Sequence, residues 1–237
     1  MNKLRRNRPR QRRVLFEQLE SRTLLAALPP PGLVSWYRAE GDAKDFAGAN
    51  NGTLLNGTTF ATGQVGQAFK FDGGDDVVEL ANESAFDFDR TNSFTIETWI
   101  NTTHKGTGNQ FIAGKSALAD SYRGYAFAVG EDHGGAIALE FAQNFSNGLD
   151  VVGTTNVIDG TWHHVAVTYD GSSNGDPAGV KLFVDGKLES TSVARNTLVA
   201  GSILNDRPLR IGGREPAPNA DHVEFNGLID EIGRAHV

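Results

Sequence analysis

The chain contains no cysteine, so a disulfide framework, a thiolate metal site and a cysteine nucleophile are excluded. It also lacks any apolar run near the ~20 residues that a membrane-spanning helix needs, and we predict no membrane span. The 237 residues are 39% hydrophobic and 22% charged, as in ordinary globular proteins, which argues against wholesale disorder. Glycine is abundant instead, with 28 residues, and this indicates many tight turns.

Basic residues are scarce in the body of the chain. Residues 1–31 hold 8 Lys and Arg against 2 Asp and Glu, a net charge of +6, whereas the remainder holds 14 against 27, a net charge of −13. Three consecutive prolines at 29–31 join the two parts and favour an extended spacer. Because phosphate contacts require a cationic face, the acidic body predicts no nucleic-acid partner.

The basic head has the features of an export segment. Its apolar stretch at 14–27 is interrupted by Glu17, Glu20 and Arg22, unlike a standard secretory signal. Residues 19–25 (LESRTLL) resemble the Leu-Glu-Pro-Arg-x-Leu-Leu leader of exported planctomycete proteins, with Ser21 in place of proline. The resemblance implies a bacterial protein that is secreted or held at the cell surface, with 1–31 as its leader. The alternative is a basic tail without a targeting signal.

Short segments of alternating apolar and polar residues, bounded by Gly, Asn and Asp, follow residue 32 and are typical of half-buried strands. They are 33–38, 67–71, 77–80, 94–101, 125–129, 137–141, 163–170, 180–184, 187–192, 209–211 and 225–230. Asp185 and Gly186 separate two of them and predict a type I′ hairpin, since both tolerate positive φ. No segment of this part keeps helical periodicity, so we predict an all-β, two-sheet antiparallel sandwich.

Seven motifs in this part of the chain occur in a characteristic order. They are 32–37 (GLVSWY), 63–73 (GQVGQAFKFDG), 93–100 (SFTIETWI), 162–171 (WHHVAVTYDG), 182–186 (LFVDG), 209–213 (LRIGG) and 225–231 (FNGLIDE). Together they resemble laminin G-like, concanavalin A-like jelly-roll domains, over residues 32–231. The resemblance implies a jelly-roll sandwich that serves as an extracellular binding module and usually has no catalytic activity.

The C-terminus departs from this resemblance. Family members continue after the Asp-Glu pair with a full strand, whereas this sequence stops six residues later. Residues 231–237 can be written GAG ATC GGA AGA GCA CAC GTC, which resembles a common sequencing adapter. We therefore expect 232–237 to be a non-native tail, the last strand to be cut with a sheet edge exposed, and the natural protein to be a larger multidomain chain. The alternative is a genuine short tail.

Catalytic motifs are not apparent in the sequence. The Glu-x-Asp-x-Glu motif of laminarinase-like glucanases does not occur, and neither does a Gly-x-Ser-x-Gly elbow. Asp87 and Asp89 share a strand face by spacing, but their Asn- and Ser-rich surroundings favour a turn. The adjacent His163 and His164 point to opposite faces of a strand and so do not suit one metal ion. We predict a non-enzyme, with a degenerate glycoside hydrolase as an alternative.

A calcium ion is predicted from a second part of the resemblance. Residues 45–52 (DFAGANNG) are similar to the family's Asp-x-x-Gly-Asn-x-x-x-Gly loop, which tends to lie near the final Asp-Glu strand. Calcium takes six to eight oxygen ligands. The resemblance therefore implies a structural calcium held by Asp45, Asp230 and carbonyls around Gly48 and Asn50. The alternative is an ordinary Asx and Gly turn without a metal.

Two sets of residues are candidates for ligand contact. Alternation puts Phe94 and Ile96 on the core face and Glu97 and Trp99, with His164 of a later strand, on the other face, where a sugar ring stacks on an aromatic platform. The alternative is that loops cover Trp99 and make a small second core. Loops at 104–109, 118–123, 143–149 and 214–224 carry further candidates, since loops on rigid sandwiches often determine specificity. These further candidates are Tyr122, Arg123, Phe145, Arg214 and His222.

The sequence thus predicts a module that binds a glycan or a surface protein. The alternative is a spacer module without a ligand in a large surface protein.

Overall fold

The computed structural model describes residues 32–103, 108–198, 200–215 and 224–235, and the predicted leader and His222 lie outside them. The described residues form sixteen strands and five short 3-10 turns, which confirms the all-β prediction. The strands are β1 (Leu33–Tyr37), β2 (Gly52–Leu55), β3 (Thr59–Thr62), β4 (Gln67–Asp72), β5 (Val77–Leu80), β6 (Phe94–Asn101), β7 (Asn109–Ser116), β8 (Gly124–Gly130), β9 (Ala136–Asn144), β10 (Asn147–Val152), β11 (His163–Tyr169), β12 (Val180–Val184), β13 (Lys187–Leu188), β14 (Ser192–Asn196), β15 (Arg210–Ile211) and β16 (Asn226–Ala235).

The strands make two antiparallel sheets, as expected of a jelly-roll sandwich. The first sheet runs β13-β12-β11-β6-β16-β4-β3, with β1 also beside β16, and the second runs β14-β10-β9-β8-β7-β15-β5-β2. Neighbours in each sheet are often distant in the chain, so the chain crosses repeatedly between the two layers. Within the described parts of the chain, no helix is long and apolar enough to cross a membrane.

The main core lies between the inner faces of the two sheets. Phe94 and Ile96 of β6 are buried as the alternation predicts, and the apolar positions of β11 are buried beside them. The second sheet contributes the buried residues Phe127, Val129, Ile137, Leu139, Phe141, Leu149 and Val151. The ring of Phe94 stacks on that of Phe88 with centroids 4.5 Å apart. This continuous apolar layer fixes which face of each strand remains outside.

The hairpin at Asp185 and Gly186 is confirmed, with φ of 50° and 73° at its two central residues. The strand predicted over 187–192 is wrong, because β13 ends at Leu188 and the chain then crosses to the second sheet as β14. Glu189 lies at this crossing, and its carboxylate accepts hydrogen bonds from the backbone N–H groups of Thr154 and Thr155. These bonds hold the crossing segment against the loop that follows β10.

Four strands, β2, β3, β7 and β10, fall outside the predicted segments, and β14 shares only Ser192 with one of them. Strand β7 (NQFIAGKS) is buried at nearly every position, so it shows no alternation of apolar and polar residues. Strand β10 begins within the predicted loop 143–149, where Asn144 accepts the backbone N–H of Ser146 and turns the chain. Both cases arise because partner strands, rather than local pattern, decide where pairing begins.

The C-terminal strand does not leave the exposed edge that the sequence predicts. It continues to Ala235 and is paired on both sides, with Gly233 opposite Trp36 of β1 and opposite Glu97 of β6. A bulge between Asp230 and Gly233, with φ of +51° at Glu231, precedes this segment. The non-native origin of residues 232–237 stays a prediction.

Candidate functional site

A groove with a volume of about 390 Å³ lies on the outer face of the second sheet. Strands β7 to β10 and β14 contribute to it, together with the loop before β8, the turn between β9 and β10 and the segment after β15. The groove is lined by Asn109, Phe111, Ser116, Tyr122, Gly124, Tyr125, Ala126, Glu140, Ala142, Phe145, Asp150, Arg195 and Arg214. Its volume lies within the ~300–1,000 Å³ of small-molecule sites.

Small residues form the floor of the groove. Along β8 and β9 the large side chains, such as Phe127 and Leu139, face the main core. Most of the alternate positions hold small residues, with Glu140 as an exception, and Ala126 and Ala142 line the groove. A small cluster of Phe111, Ala126 and Ala128 is separate from the main core and marks this opposite face. The low floor lets a ligand approach the sheet closely.

An aromatic wall closes one side of the groove. The rings of Tyr122 and Phe145 lie 5.5 Å apart, and Phe145 is 72% exposed. The guanidinium of Arg214 lies 4.4 Å from the centre of the Tyr122 ring and 5.3 Å from that of Phe111. Tyr122 and the preceding Ser121 both adopt positive φ, of 66° and 57°, a costly backbone conformation that directs the Tyr122 ring toward the groove.

An ion pair lies on the side of the groove away from Phe111. Arg195 of β14 is directly opposite Asp150 of β10 and donates two hydrogen bonds to its carboxylate, at 2.9 and 2.8 Å. A Cβ at Gly148 would lie 2.4 Å from Cζ of Arg195, so the missing side chain is what lets the guanidinium lie against β10. Burial raises the pKa of Asp150, and the hydrogen bonds from Arg195 oppose this rise.

Glu140 of β9 is the residue opposite Asp150, so two carboxylates are neighbours across the groove floor. Oε1 of Glu140 accepts a hydrogen bond of 2.6 Å from the amide of Asn109. His133 Nε2 lies 3.7 Å from the same oxygen and 2.8 Å from the Asn109 amide nitrogen. Side chains from two other segments therefore hold Glu140 in place.

The outer face of the first sheet carries a second, smaller pocket of about 230 Å³. Here the structure places three predicted residues together: the Trp99 and His164 rings lie 5.2 Å apart, and Glu97 Oε2 lies 3.8 Å from His164 Nε2. Trp99 is half-buried and lines the pocket beside Trp36 and Glu231, whose carboxylate accepts the Trp36 indole N–H. Trp99 therefore remains part of a pocket rather than of a closed second core.

The six predicted ligand residues do not form one site. Tyr122 and Arg214 line the groove on the second sheet, whereas the trio around Trp99 lies on the opposite outer face. Arg123 lines a neighbouring cavity with Asp120 and Asp206. The reason is topological, because β6 and β11 belong to the first sheet while loop 118–123 joins two strands of the second.

Sequence analysis missed most of the polar residues of the groove, namely Asn109, Glu140, Asp150 and Arg195. The segments 124–130 (GYAFAVG) and 136–142 (AIALEFA) carry a signal that was available in the sequence. Alanine or glycine occupies most of the positions between the large apolar residues, where a solvent-exposed strand face usually carries polar side chains. A strand face made mostly of small residues indicates a surface against which a ligand or another chain segment packs closely.

Hydrogen-bond donors of the protein surround Asp45, the first of the predicted calcium ligands. The Asp45 carboxylate accepts backbone N–H groups from Trp36, Ala47, Gly48 and Asn50, at 3.0 to 3.1 Å. A carboxylate surrounded by four N–H donors already has its negative charge compensated. Asp230 accepts the N–H of Val65 through Oδ2, whereas its buried Oδ1 has no hydrogen-bond partner among the described residues. Over the described ranges, no three His, Asp or Glu side chains converge to hold a metal. Calcium binding stays a prediction from the sequence, and the contacts of Asp45 argue against it.

Comparison with known families agrees with this architecture. A family profile described as the Concanavalin A-like lectin/glucanases superfamily matches residues 72–233, and the chain belongs to this family. No match was found among curated proteins.

Solved structures with the same fold include binding domains and parts of enzymes. The binding domain of Paraclostridial Mosquitocidal Protein 1 has a TM-score of 0.64 and 13% identity, over 86% of this chain and 49% of that one. Domain 4 of AbnA, an extracellular GH43 arabinanase from Geobacillus stearothermophilus, was solved in complex with arabinotriose. It has a TM-score of 0.52 and 18% identity, over 86% of this chain and 92% of that one. Trypanosoma rangeli sialidase in complex with sialic acid has a TM-score of 0.59 and 14% identity, over 89% of this chain and 31% of that one. This chain spans about half of the toxin domain. At these identities the likeness establishes the fold alone.

Proposed function

We propose that this chain is a carbohydrate-binding module and that its glycan lies in the groove on the second sheet. The observation that carries the proposal is the combination of an alanine floor, the aromatic pair Tyr122 and Phe145, and fixed polar groups in one cavity. A sugar presents an apolar ring face and a rim of hydroxyl groups. Aromatic rings match the first, and planar hydrogen-bonding side chains match the second.

The comparisons support the proposal at the level of the fold, since arabinotriose occupies a domain of similar architecture in the arabinanase. We extend the proposal to a secreted or cell-surface bacterial protein and to a module within a larger chain. A surface protein is the alternative partner, because a structure of similar fold was solved with synaptotagmin II. Neither partner requires nucleic acid or a membrane span.

A binding assay against immobilised neutral and charged polysaccharides tests the proposal. We expect retention of the full chain by at least one glycan, with binding weakened about tenfold or more in Tyr122→Ala and Phe145→Ala, because each removes a ring that the sugar covers. Phe46→Ala is the matched control, since Phe46 is also partly exposed but packs on Trp36 of the first sheet. If none of the glycans retains the chain, the proposal fails and the alternative, a spacer module without a ligand, replaces it.

Glycoside hydrolysis is a second candidate function, favoured by the opposition of Glu140 and Asp150. Retaining glycosidases use two carboxyl groups about 5–5.5 Å apart. The Cβ atoms of opposite positions on paired strands lie about 4.5–5.5 Å apart, so two carboxylates at such positions come within a comparable range. We prefer binding because both oxygens of Asp150 already accept N–H groups of Arg195. Release of reducing sugar that disappears in Glu140→Gln would establish the enzyme instead.

A further inference from the structure

The ion pair of Asp150 and Arg195 is held more rigidly than a surface salt bridge. Arg195 donates two parallel hydrogen bonds to the carboxylate and is 28% exposed in its side chain. Its Nη2 also lies 3.3 Å from the carbonyl oxygen of Phe141, and Gly148 leaves space beneath its plane. Because the guanidinium is fixed before a ligand arrives, binding costs little further conformational entropy.

The pair presents a donor and an acceptor side by side at the groove. A carboxylate has about four lone-pair sites, and Arg195 uses one on each oxygen of Asp150, so each oxygen can accept one more hydrogen bond. A guanidinium has five N–H donors. Two of those of Arg195 go to Asp150, and Nη2 and Nη1 also donate to the carbonyl oxygens of Phe141 and Phe145, which leaves one Nη1 hydrogen for a ligand. Two neighbouring hydroxyl groups match this arrangement, one donating to the carboxylate and the other accepting from the guanidinium.

The groove lining holds two carboxylates, Glu140 and Asp150, and two guanidinium groups, Arg195 and Arg214, so its formal charges balance. Arg195 compensates Asp150, and Asn109 and His133 lie against Glu140. Arg214 packs over the rings of Phe111 and Tyr122. An acidic sugar would bring a carboxylate toward Glu140 and Asp150, and an amino sugar would bring a cation toward Arg195 and Arg214. Like charges placed together are a strong means of rejecting the wrong ligand.

We infer that the ligand class of the groove is a neutral glycan with a vicinal pair of hydroxyl groups, and that Asp150 and Arg195 bind this pair and determine specificity. This inference rests on the proposed function, and it adds the chemical feature of the sugar that is recognised. The ring lies on the floor of small residues beside Tyr122 and Phe145, while the vicinal hydroxyls point toward β10 and β14.

Four polysaccharides test the inference with the full chain. Dextran and linear arabinan are neutral and carry vicinal hydroxyls, whereas the internal residues of a β-1,3-glucan are neutral and carry none. Polygalacturonate supplies vicinal hydroxyls with an added carboxylate. We expect binding to dextran or arabinan, loss of that binding after periodate has cleaved the vicinal diols and borohydride has reduced the products, and binding at least about tenfold weaker to the β-1,3-glucan and to polygalacturonate.

Two variants assign the effect to the ion pair. Arg195→Lys keeps the charge but loses the planar fork, and we expect it to weaken binding to the preferred glycan about tenfold. Arg90→Lys is the control, because Arg90 donates to the carbonyl oxygen of Asn174 and neither residue lines the groove, and we expect it to leave binding unchanged. Circular dichroism and the Tm of both variants confirm that they remain folded.

The outcomes separate the two proposals. Equal binding of the β-1,3-glucan and dextran, tighter binding of polygalacturonate, or unchanged binding in Arg195→Lys would overturn the vicinal-diol inference while leaving glycan binding intact. Retention by none of the polysaccharides would overturn both.

Discussion

The guanidinium carbon of Arg234 lies 3.8 Å from the centre of the Phe88 ring, inside the sandwich rather than at its surface. Arg234 is 5% exposed, and one nitrogen donates to the carbonyl oxygen of Ala85. Its Nε and Nη2 have no hydrogen-bond partner among the described residues. Burial lowers the pKa of Arg234 to about 10, the direction expected for a cation without a compensating charge.

Replacing this arginine with an apolar residue is expected to stabilise the fold. Arg234→Leu removes two unpaired buried donors, and each such group costs about 1–3 kcal/mol. We expect the free energy of unfolding to rise by about 1–3 kcal/mol in urea denaturation, since the lost contact with Phe88 offsets part of the gain.

Arg210→Leu provides the comparison, because Arg210 has a carboxylate partner in Glu79 and its removal brings no such gain. A lower free energy of unfolding in Arg234→Leu would contradict the prediction and would mean that the contact with Phe88 outweighs the unpaired donors.

Lys115 is another buried cation, and unlike Arg234 it has acceptors around its whole ammonium group. Its ammonium contacts the carboxylates of Glu83 and Asp87, at 2.8 and 3.0 Å, and the carbonyl oxygens of Asn205 and Arg207. Lys115→Met leaves these acceptors without their donor, and we expect the free energy of unfolding to fall by about 2–4 kcal/mol. The exposed pair of Lys44 and Asp42 is the control, since Lys44→Met is expected to leave the free energy of unfolding nearly unchanged. Equal effects in the two variants would contradict a structural role for Lys115.

Asp45 provides a test of calcium binding. Four backbone N–H groups converge on its carboxylate, so we expect Asp45→Ala to lower the free energy of unfolding by about 2–4 kcal/mol with or without calcium. Differential scanning fluorimetry in EDTA and in millimolar calcium is expected to give the same Tm for the unsubstituted chain. A calcium-dependent rise in Tm that Asp45→Asn abolishes would restore the cation site predicted from the sequence.

The stability of the fold is expected to depend on pH through His163, whose ring contacts Asp185 in the hairpin turn. Burial lowers the pKa of His163, but hydrogen bonds from its ring to Asp185 and Asp159 outweigh burial and raise it. Because the pKa of His163 is higher in the folded state than in the unfolded state, His163 contributes stability that is fully present below the unfolded value of about 6.5. This contribution is lost as the pH rises through the folded pKa. The urea midpoint of unfolding should therefore be higher for the unsubstituted chain than for His163→Gln in acid, and the difference should decline toward alkaline pH.

Asp185→Asn serves as the companion variant. Asparagine before glycine is well suited to the type I′ turn, so the hairpin is retained while the charge beside His163 is removed. We expect this variant to lose part of the same pH dependence. A pH profile that matches the unsubstituted chain in both variants would exclude His163 as its source.

The sequence by itself determined the strands with clear alternation, the Asp185 and Gly186 turn, and the inward direction of Phe94 and Ile96. These features follow from a local rule, because successive side chains of a strand point to opposite faces. Only the tertiary structure decided that Arg195 meets Asp150 and that Tyr122 and Arg214 share a groove from which Trp99 is remote. Which strands become neighbours depends on pairing between segments far apart in the chain and on the common core they bury, and neither is encoded in local spacing.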